Sequence, residues 1–136
     1  MDYAGTLMEG TLMEALEMEV VEARPDKVVM RMPVGPKARQ SYGLLHGGAS
    51  VALAETAASF GTGLNVDPER QWVVGSEISA SHLRSAKDGF VLAEATVLHK
   101  GRTSMVWDIR ILTETDRTPL CISRCRVSIV ERREKP

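Results

Sequence analysis

Apolar and polar residues alternate along six segments of the chain, and a period of two is typical of β-strands. Two of these segments, 16–20 and 28–34, precede residue 35 and are joined by a turn at 24–26. Four more follow residue 70, at 72–84, 90–100, 103–112 and 120–130. Because tight turns join neighbouring segments, the pattern predicts an antiparallel sheet.

Two further stretches have helical character. Within residues 1–15, a short amphipathic helix is predicted from Thr6 to Ala15, with Leu7, Leu12 and Ala15 on its apolar side. From about Gly47, a longer stretch contains no proline and is rich in Ala and Leu. Its many small residues predict a thin helix that is buried by a sheet curled around it. The fold class expected is therefore α+β, with one long central helix.

Glu55 is the exception in this apolar helix. An unpaired buried carboxylate is costly, so Glu55 is expected either to have a partner or to line a cleft. At the start of the helix, His46-Gly47-Gly48 presents amides that have no acceptor within the helix and lie at the positive end of its dipole. Such amides can stabilise developing negative charge.

The spacing of these two groups has a consequence for assembly. Glu55 lies eight residues beyond Gly47, which is about 12 Å along a helix axis. One carbonyl carbon cannot be within reach of both groups of the same helix. If both act in one reaction, they come from two copies of the chain, and the site lies at a dimer interface.

Composition narrows the class of protein. The 136 residues carry a formal net charge of −1, so the chain has no overall attraction to nucleic acid or to an anionic membrane. We expect a single domain over 1–136 that ends in a charged tail at 131–136. No signal peptide or membrane-spanning segment is predicted. Cys121 and Cys125 lie on one face of a strand, too far apart to bond, which predicts reduced thiols and a cytoplasmic location.

Three segments, at 43–59, 75–84 and 99–103, resemble the hotdog-fold thioesterases in order and spacing. The closer resemblance is to the branch with the phenylacetate-pathway thioesterases and the Arthrobacter-type 4-hydroxybenzoyl-CoA thioesterase. It extends from about residue 16 to residue 130. It implies hydrolysis of an aryl- or medium-chain acyl-CoA to free acid and CoA, by a homo-oligomer that is at least a dimer and is expected to be a tetramer. No metal and no other cofactor is implied, because CoA is part of the substrate.

The resemblance also implies roles for five residues at the reacting centre. The Gly47 amide would polarise the thioester carbonyl, and Gln40 would assist at that oxygen or position His46. Glu55 would attack the carbonyl or activate water, and Ser59 would hold the carboxylate or the water. We expect His46 to act as a positioning residue rather than as a base, because the helix dipole lowers the pKa of an imidazole at this position.

A second set of residues matches the family's CoA-binding positions. His82 and Arg84 match a strand pair beside the pantetheine and nucleotide path, although a surface or interface pair would look the same in sequence. Gly101, Arg102 and Thr103 match a turn that contacts CoA phosphates, and an arginine fork suits that role. Ordinary basic turn residues are the competing interpretation.

Other functions remain open at this point. Glu77, in a predicted strand, is a competing catalytic carboxylate. A hotdog dehydratase or hydratase would pair a His with an acid in a different arrangement. A non-catalytic protein that binds or senses acyl-CoA is a further alternative, and a scaffold without ligand would not need Glu55 together with His46-Gly47. The chain has no spare length for a DNA-binding segment.

Overall fold

The computed structural model describes residues 9–133. In chain order its elements are α1 (Leu12–Ala15), β1 (Glu19–Arg24), β2 (Lys27–Pro33), a 3₁₀ turn (Pro36–Ala38), α2 (Gly47–Gly63), β3 (Gln71–His82), β4 (Phe90–Lys100), β5 (Ser104–Thr113) and β6 (Pro119–Glu131). The six predicted strands and the single long helix are confirmed. Most strand bounds differ from the predicted ones by only one or two residues.

All six strands form one antiparallel sheet in the order β1-β2-β4-β5-β6-β3. The strand that follows α2 does not pair with its sequence neighbour β4. Instead, β3 pairs with β6, with Ile78 opposite Cys125, and forms one edge of the sheet. The concave side of the sheet receives α2, which contacts every strand from β2 to β6. This arrangement is the hotdog architecture that the sequence resembles.

The small residues of α2 allow a large side chain to approach it. The Trp107 ring from β5 lies against Gly61 so closely that a Cβ atom at residue 61 would be 2.5 Å from Trp107 Cη2. The indole Nε1–H donates to Thr62 Oγ1 at 2.9 Å, and that hydroxyl donates to the Ala58 carbonyl at 2.9 Å. Because all four residues are buried, these contacts fix the rotation of α2 about its axis.

The N-terminal region differs from the prediction. Residues 6–8 of the predicted helix, including Leu7, lie outside the described residues, and the described part is the single turn α1. Leu12 and Ala15, predicted to face inward, are exposed, whereas Met13 and Leu16 pack against the core. The reason is a left-handed residue on each side of α1, Gly10 at φ 73° and Glu17 at φ 57°.

The left-handed residue Glu17 also moves the start of the first strand to a later position in the sequence. Alternation in the sequence begins at Leu16, but β1 starts at Glu19, after the backbone has turned at Glu17. Cys121 and Cys125 are both buried free thiols, as predicted. Among the described residues, no helix is both long and apolar enough to cross a membrane.

Candidate active site

A cavity of about 530 Å³ lies beside the C-terminal half of α2. One face of the helix lines it with residues at helical spacing, namely Glu55, Thr56, Ser59, Phe60 and Gly63. The sheet contributes Met30 and Val73. The cavity is therefore mostly apolar, with a carboxylate and two hydroxyl groups on its helical wall, as expected for a site that binds an apolar group and acts on it.

Glu55 is the one ionisable residue that lines this cavity in the described part of the chain. Its carboxylate is half-buried and forms no hydrogen bond or ion pair with any residue from 9 to 133. It lies over Gly75 in β3, where an added Cβ atom would be 2.8 Å from Glu55 Cδ. Of the two situations predicted for this carboxylate, the structure shows the second: Glu55 lines a cleft and has no partner among residues 9–133.

The charge of Glu55 affects the Cys125 thiol in the core beneath it. Burial raises the pKa of the Cys125 thiol to about 12, and the Glu55 and Glu77 carboxylates add to this shift. Cys125 therefore stays a neutral thiol at physiological pH. Ser59 lies one turn beyond Glu55 on the same cavity wall, and its hydroxyl has no hydrogen-bond partner among the described residues. That hydroxyl is free to bind a water molecule or a substrate atom next to the carboxylate.

The N-terminus of α2 is organised by His46. Its Nδ1 accepts the Gly48 N–H at 2.7 Å, so the proton of the neutral ring is on Nε2. Its carbonyl accepts the N–H groups of Ala49 and Ser50 at 3.0 and 3.2 Å. Only the Gly47 N–H of this first turn has no acceptor within residues 9–133. The structure thus leaves one helix N-terminal donor available, at the position predicted to polarise a carbonyl.

Gln40 lies in a short hairpin that precedes the helix. His46 N–H donates to the Ala38 carbonyl and Gln40 N–H to the Leu44 carbonyl, each at 2.8 Å. The Gln40 Oε1 atom accepts the N–H groups of Tyr42 at 2.5 Å and Leu44 at 3.2 Å. These two bonds fix the orientation of the carboxamide. Its Nε2 group has no acceptor among the described residues, so it is a second available donor near the start of α2.

His82 lies closer to the N-terminus of α2 than the sequence indicated. Together with Ile78 and Ala80 it faces α2, and its ring lies against Gly47. A Cβ atom at residue 47 would be 2.8 Å from His82 Nε2. Arg84, two residues later, is exposed and forms no ion pair with the described residues.

The structure does not bring the two predicted CoA-binding sets together within one protomer. His82 is paired with Cys121 near the start of β6, whereas the Thr103 carbonyl accepts the Ile129 N–H near the end of that strand. Eight residues of β6 separate these positions, which is about 26 Å. Gly101 and Arg102 therefore lie with Thr103 at the opposite end of the sheet from His82 and Arg84.

Several residues of the site were not found from the sequence. Thr56, Phe60 and Gly63 follow from helical spacing once Glu55 and Ser59 are placed, so this signal was available. Gly75 also carried a signal, because a glycine inside a strand indicates close approach of another group. The cavity wall formed by Met13 and Pro68 had no local signal.

Comparison with known proteins finds relatives over most of the chain. The sequence profile of the Thioesterase superfamily matches residues 42–120. The chain is 48% identical over 97% of its length to ComA2 of Bacillus subtilis, which it covers completely. It is 42% identical to the 1,4-dihydroxy-2-naphthoyl-CoA hydrolase of Listeria monocytogenes, over 85% of this chain and 92% of that protein.

The fold agrees as well. A crystal structure of a mutant of thioesterase PA1618 from Pseudomonas aeruginosa superposes with a TM-score of 0.86 at 37% identity, covering 90% of this chain and 88% of that one. Sequence and fold thus point to one family over most of the chain. The protein belongs to the thioesterase superfamily and is a thioester hydrolase.

Proposed function

We propose that this protein hydrolyses aryl- or medium-chain acyl-CoA thioesters, with Glu55 as the acting carboxylate. The observation that carries this proposal is the unpaired Glu55 carboxylate on the wall of an apolar cavity of about 530 Å³. Relatives named 1,4-dihydroxy-2-naphthoyl-CoA hydrolase act on an aromatic CoA ester by name, which favours the aryl class for this cavity. CoA enters as part of the substrate, and the reaction needs no other cofactor.

In the proposed reaction, a water molecule is held between the Glu55 carboxylate and the Ser59 hydroxyl. Its oxygen attacks the thioester carbon while Glu55 accepts its proton. The N–H of Gly47 and the Nε2 group of Gln40 donate to the carbonyl oxygen as it becomes negative. The tetrahedral intermediate then breaks its C–S bond, and the proton on Glu55 goes to the thiolate. The products are one carboxylic acid and one CoA thiol.

This reaction requires two protomers, since Gly47 and Glu55 lie about 12 Å apart on one helix. We propose that β3, which pairs on one side only in the described sheet, pairs antiparallel with the β3 strand of a second copy. Gly75 lies under Glu55 and His82 lies against Gly47. A two-fold axis at Ile78 or Ser79, midway between them, would bring Glu55 of one protomer beside Gly47 of the other.

The same dimer would unite the two sets of CoA-binding residues. Because the paired strands run in opposite directions, the His82 end of one protomer lies beside the opposite end of its partner. Arg84 of one chain and Arg102 of the other would then border one site from two sides. This arrangement fits a long ligand with phosphate groups at one end, as CoA has.

Thiol release from acyl-CoAs tests the catalytic assignment. Wild type and Glu55→Ala would be assayed with phenylacetyl-, benzoyl- and hexanoyl-CoA, and the variant is expected to lose about a hundredfold or more in kcat. An equally active variant would overturn the role of Glu55 and direct attention to Glu77 and His82. A wild type that binds CoA esters but hydrolyses none of them would favour an acyl-CoA sensor instead.

Subunit complementation tests the shared site. Gly47→Pro removes the donor N–H, while proline is well accepted at the first position of a helix. Gly47→Ala is the matched control, because it adds a side chain against His82 but keeps the amide. Each single variant, Gly47→Pro or Glu55→Ala, is expected to be inactive. Coexpression of the two should restore about a quarter of wild-type activity, since half of a random mixture is heterodimer with one intact site. No recovery would contradict a site shared between subunits.

A further inference from the structure

The cavity has one wall that belongs neither to the sheet nor to the central helix. Gly10 and Glu17, both with left-handed φ values, bracket the single turn α1. None of the four residues of α1 is fully buried, and Thr11 caps the turn through a 3.4 Å hydrogen bond from the Glu14 N–H. We refer to residues 10–17 as the flap. The backbone hydrogen bonds described for residues 12–17 stay within the flap or end at Met18, so the flap can shift without breaking the pairing of the sheet.

Met13 is the flap residue that reaches the cavity. It lines the cavity and packs against the core, whereas its neighbour Leu12 is 57% exposed. Its carbonyl accepts the N–H of Met18, which joins the flap to the start of the first strand. Across the cavity stands Met30 of β2, which is fully buried. Methionine side chains are flexible and fill irregular space, so this wall can adapt its shape.

We infer that Met13 determines which acyl groups the cavity accepts, with the flap as a wall that can be adjusted independently of the catalytic residues. The inference rests on the proposed thioesterase function of the same cavity. Glu55 and Ser59 are fixed by α2, whose rotation is set by the buried Trp107 contacts. A change at Met13 therefore alters the volume offered to the acyl group and leaves the reacting groups in place.

The expected change in substrate preference follows from how strongly an apolar pocket discriminates between substrates of different size. One methylene group in an apolar pocket changes kcat/KM by about 10- to 200-fold. Met13→Ala removes more than one such group from the wall, so kcat/KM for bulkier acyl-CoAs should rise relative to that for small ones. Met13→Phe should shift the preference in the opposite direction. A shift of about tenfold or more in the ratio is expected for each variant.

The experiment compares wild type, Met13→Ala, Met13→Phe and the matched control Leu12→Ala, which changes an exposed residue of the same turn. Each is assayed with a series of acyl-CoAs from acetyl to dodecanoyl and with benzoyl-CoA, and the ratio of kcat/KM between large and small substrates is the readout. Opposite shifts for Ala and Phe, with the Leu12→Ala ratio unchanged, are expected. A uniform loss of activity, or equal ratios for all four proteins, would overturn the inference.

Binding gives a second readout that does not depend on turnover. Non-hydrolysable thioether analogues of the same acyl-CoAs are titrated into each protein by calorimetry. Opposite shifts in relative Kd for Met13→Ala and Met13→Phe support the inference even if wild type releases no thiol. In that case the proposed hydrolysis fails while the role of Met13 stands. Unshifted Kd values together with measurable thiol release would leave the proposed function intact and exclude a size-setting role for Met13.

Discussion

The Glu55 carboxylate lies directly over Gly75 of β3, and a Cβ atom at residue 75 would be 2.8 Å from Glu55 Cδ. The two residues are twenty apart in sequence and meet because β3 runs antiparallel along α2, with His82 at its end against Gly47. The glycine thus determines where the carboxylate can lie. This contact connects the geometry of the edge strand to the chemistry proposed for the cavity.

Gly75→Ala should therefore reduce activity with little effect on stability. The new methyl group displaces the flexible end of the Glu55 side chain, and a shift of about 1 Å in a reacting group can cost as much as a hundredfold in rate. We expect kcat to fall by about tenfold or more, while the free energy of unfolding changes by about 0.5 kcal/mol or less. The measurements are thiol release and denaturant unfolding.

The control for this variant is Gly35→Ala, since Gly35 has open space around its Cβ position and an extended backbone. Its activity and stability should stay near wild type. Unchanged kcat in Gly75→Ala would show that Gly75 does not position the carboxylate.

Ser59→Ala should lower kcat by about tenfold, because general acid–base steps lose efficiency when the attacking water is poorly held. Ser59→Thr keeps the hydroxyl and should retain most of the activity. The kcat values of both variants on the best acyl-CoA are the measurement. If Ser59→Ala is as active as wild type, Ser59 is a packing residue of the cavity wall only.

The arrangement of the candidate site residues on α2 was predictable because the evidence for it is local. Glu55 and Ser59 are four residues apart, so their shared face follows from helical spacing, and the unsatisfied first turn follows from His46-Gly47. The contacts of Gly75 with Glu55 and of His82 with Gly47 are different in kind. They depend on β3 pairing with β6 instead of β4, and the strand pattern does not encode that order.

The prediction for the N-terminal region was wrong for another reason. Residues 6–15 have a helical pattern, but Gly10 is left-handed at φ 73° and the described helix begins only at Leu12, although it ends at Ala15 as predicted. The left-handed Glu17 that follows the helix, at φ 57°, was not predicted either, because glutamate seldom adopts this conformation. Met13 and Leu16 pack against the core in place of the predicted Leu12 and Ala15.

Replacing Glu17 tests whether its left-handed conformation lowers the stability of the fold. A left-handed conformation costs a non-glycine residue about 1–2 kcal/mol, and glycine avoids that cost. Glu17→Gly should therefore be more stable than Glu17→Ala by about 1 kcal/mol. Both variants lose the same charge, so the difference in their unfolding free energies isolates the backbone. Equal stabilities would indicate that residue 17 relaxes to another conformation in solution.

The buried hydrogen bond between Trp107 and Thr62 should be important for stability. Thr62→Val keeps the shape of the side chain but leaves the Trp107 Nε1–H without its acceptor, and an unsatisfied buried donor costs about 1–3 kcal/mol. Thr62→Ser retains the acceptor and should lose less. Denaturant midpoints of the two variants provide the comparison. A Val variant as stable as the Ser variant would mean that water replaces the lost partner.

An ion pair on the outer face of the sheet predicts that the stability of the fold depends on pH. Arg31 donates to both oxygens of Glu114, at 2.5 and 3.0 Å, and this hydrogen bonding lowers the pKa of Glu114 below its usual value near 4.5. A lowered folded-state pKa gives stability that is present above the unfolded pKa and is lost as the pH falls through the folded value. Wild type should lose this contribution on acidification below about pH 4.5.

Glu114→Gln should therefore be less stable than wild type at pH 7, with a difference that shrinks as the pH is lowered below 4.5. Unfolding free energies measured from pH 7 to pH 2.5 give the two curves. Glu131→Gln is the control, because Glu131 is exposed and has no ion pair in the described part of the chain. Parallel curves for wild type and Glu114→Gln would contradict the pairing.

The contact between Gly61 and Trp107 also constrains how this sequence can change over time. An alanine at residue 61 would meet the indole at 2.5 Å, so the substitution is blocked while the tryptophan is present. Replacing Trp107 first opens space beside α2 at a cost in stability, and only then does a larger residue at 61 fit. Substitutions at the two positions are therefore accessible in one order and not in the other. A sequence that has lost the tryptophan and then filled residue 61 could regain Trp107 only after residue 61 had returned to glycine.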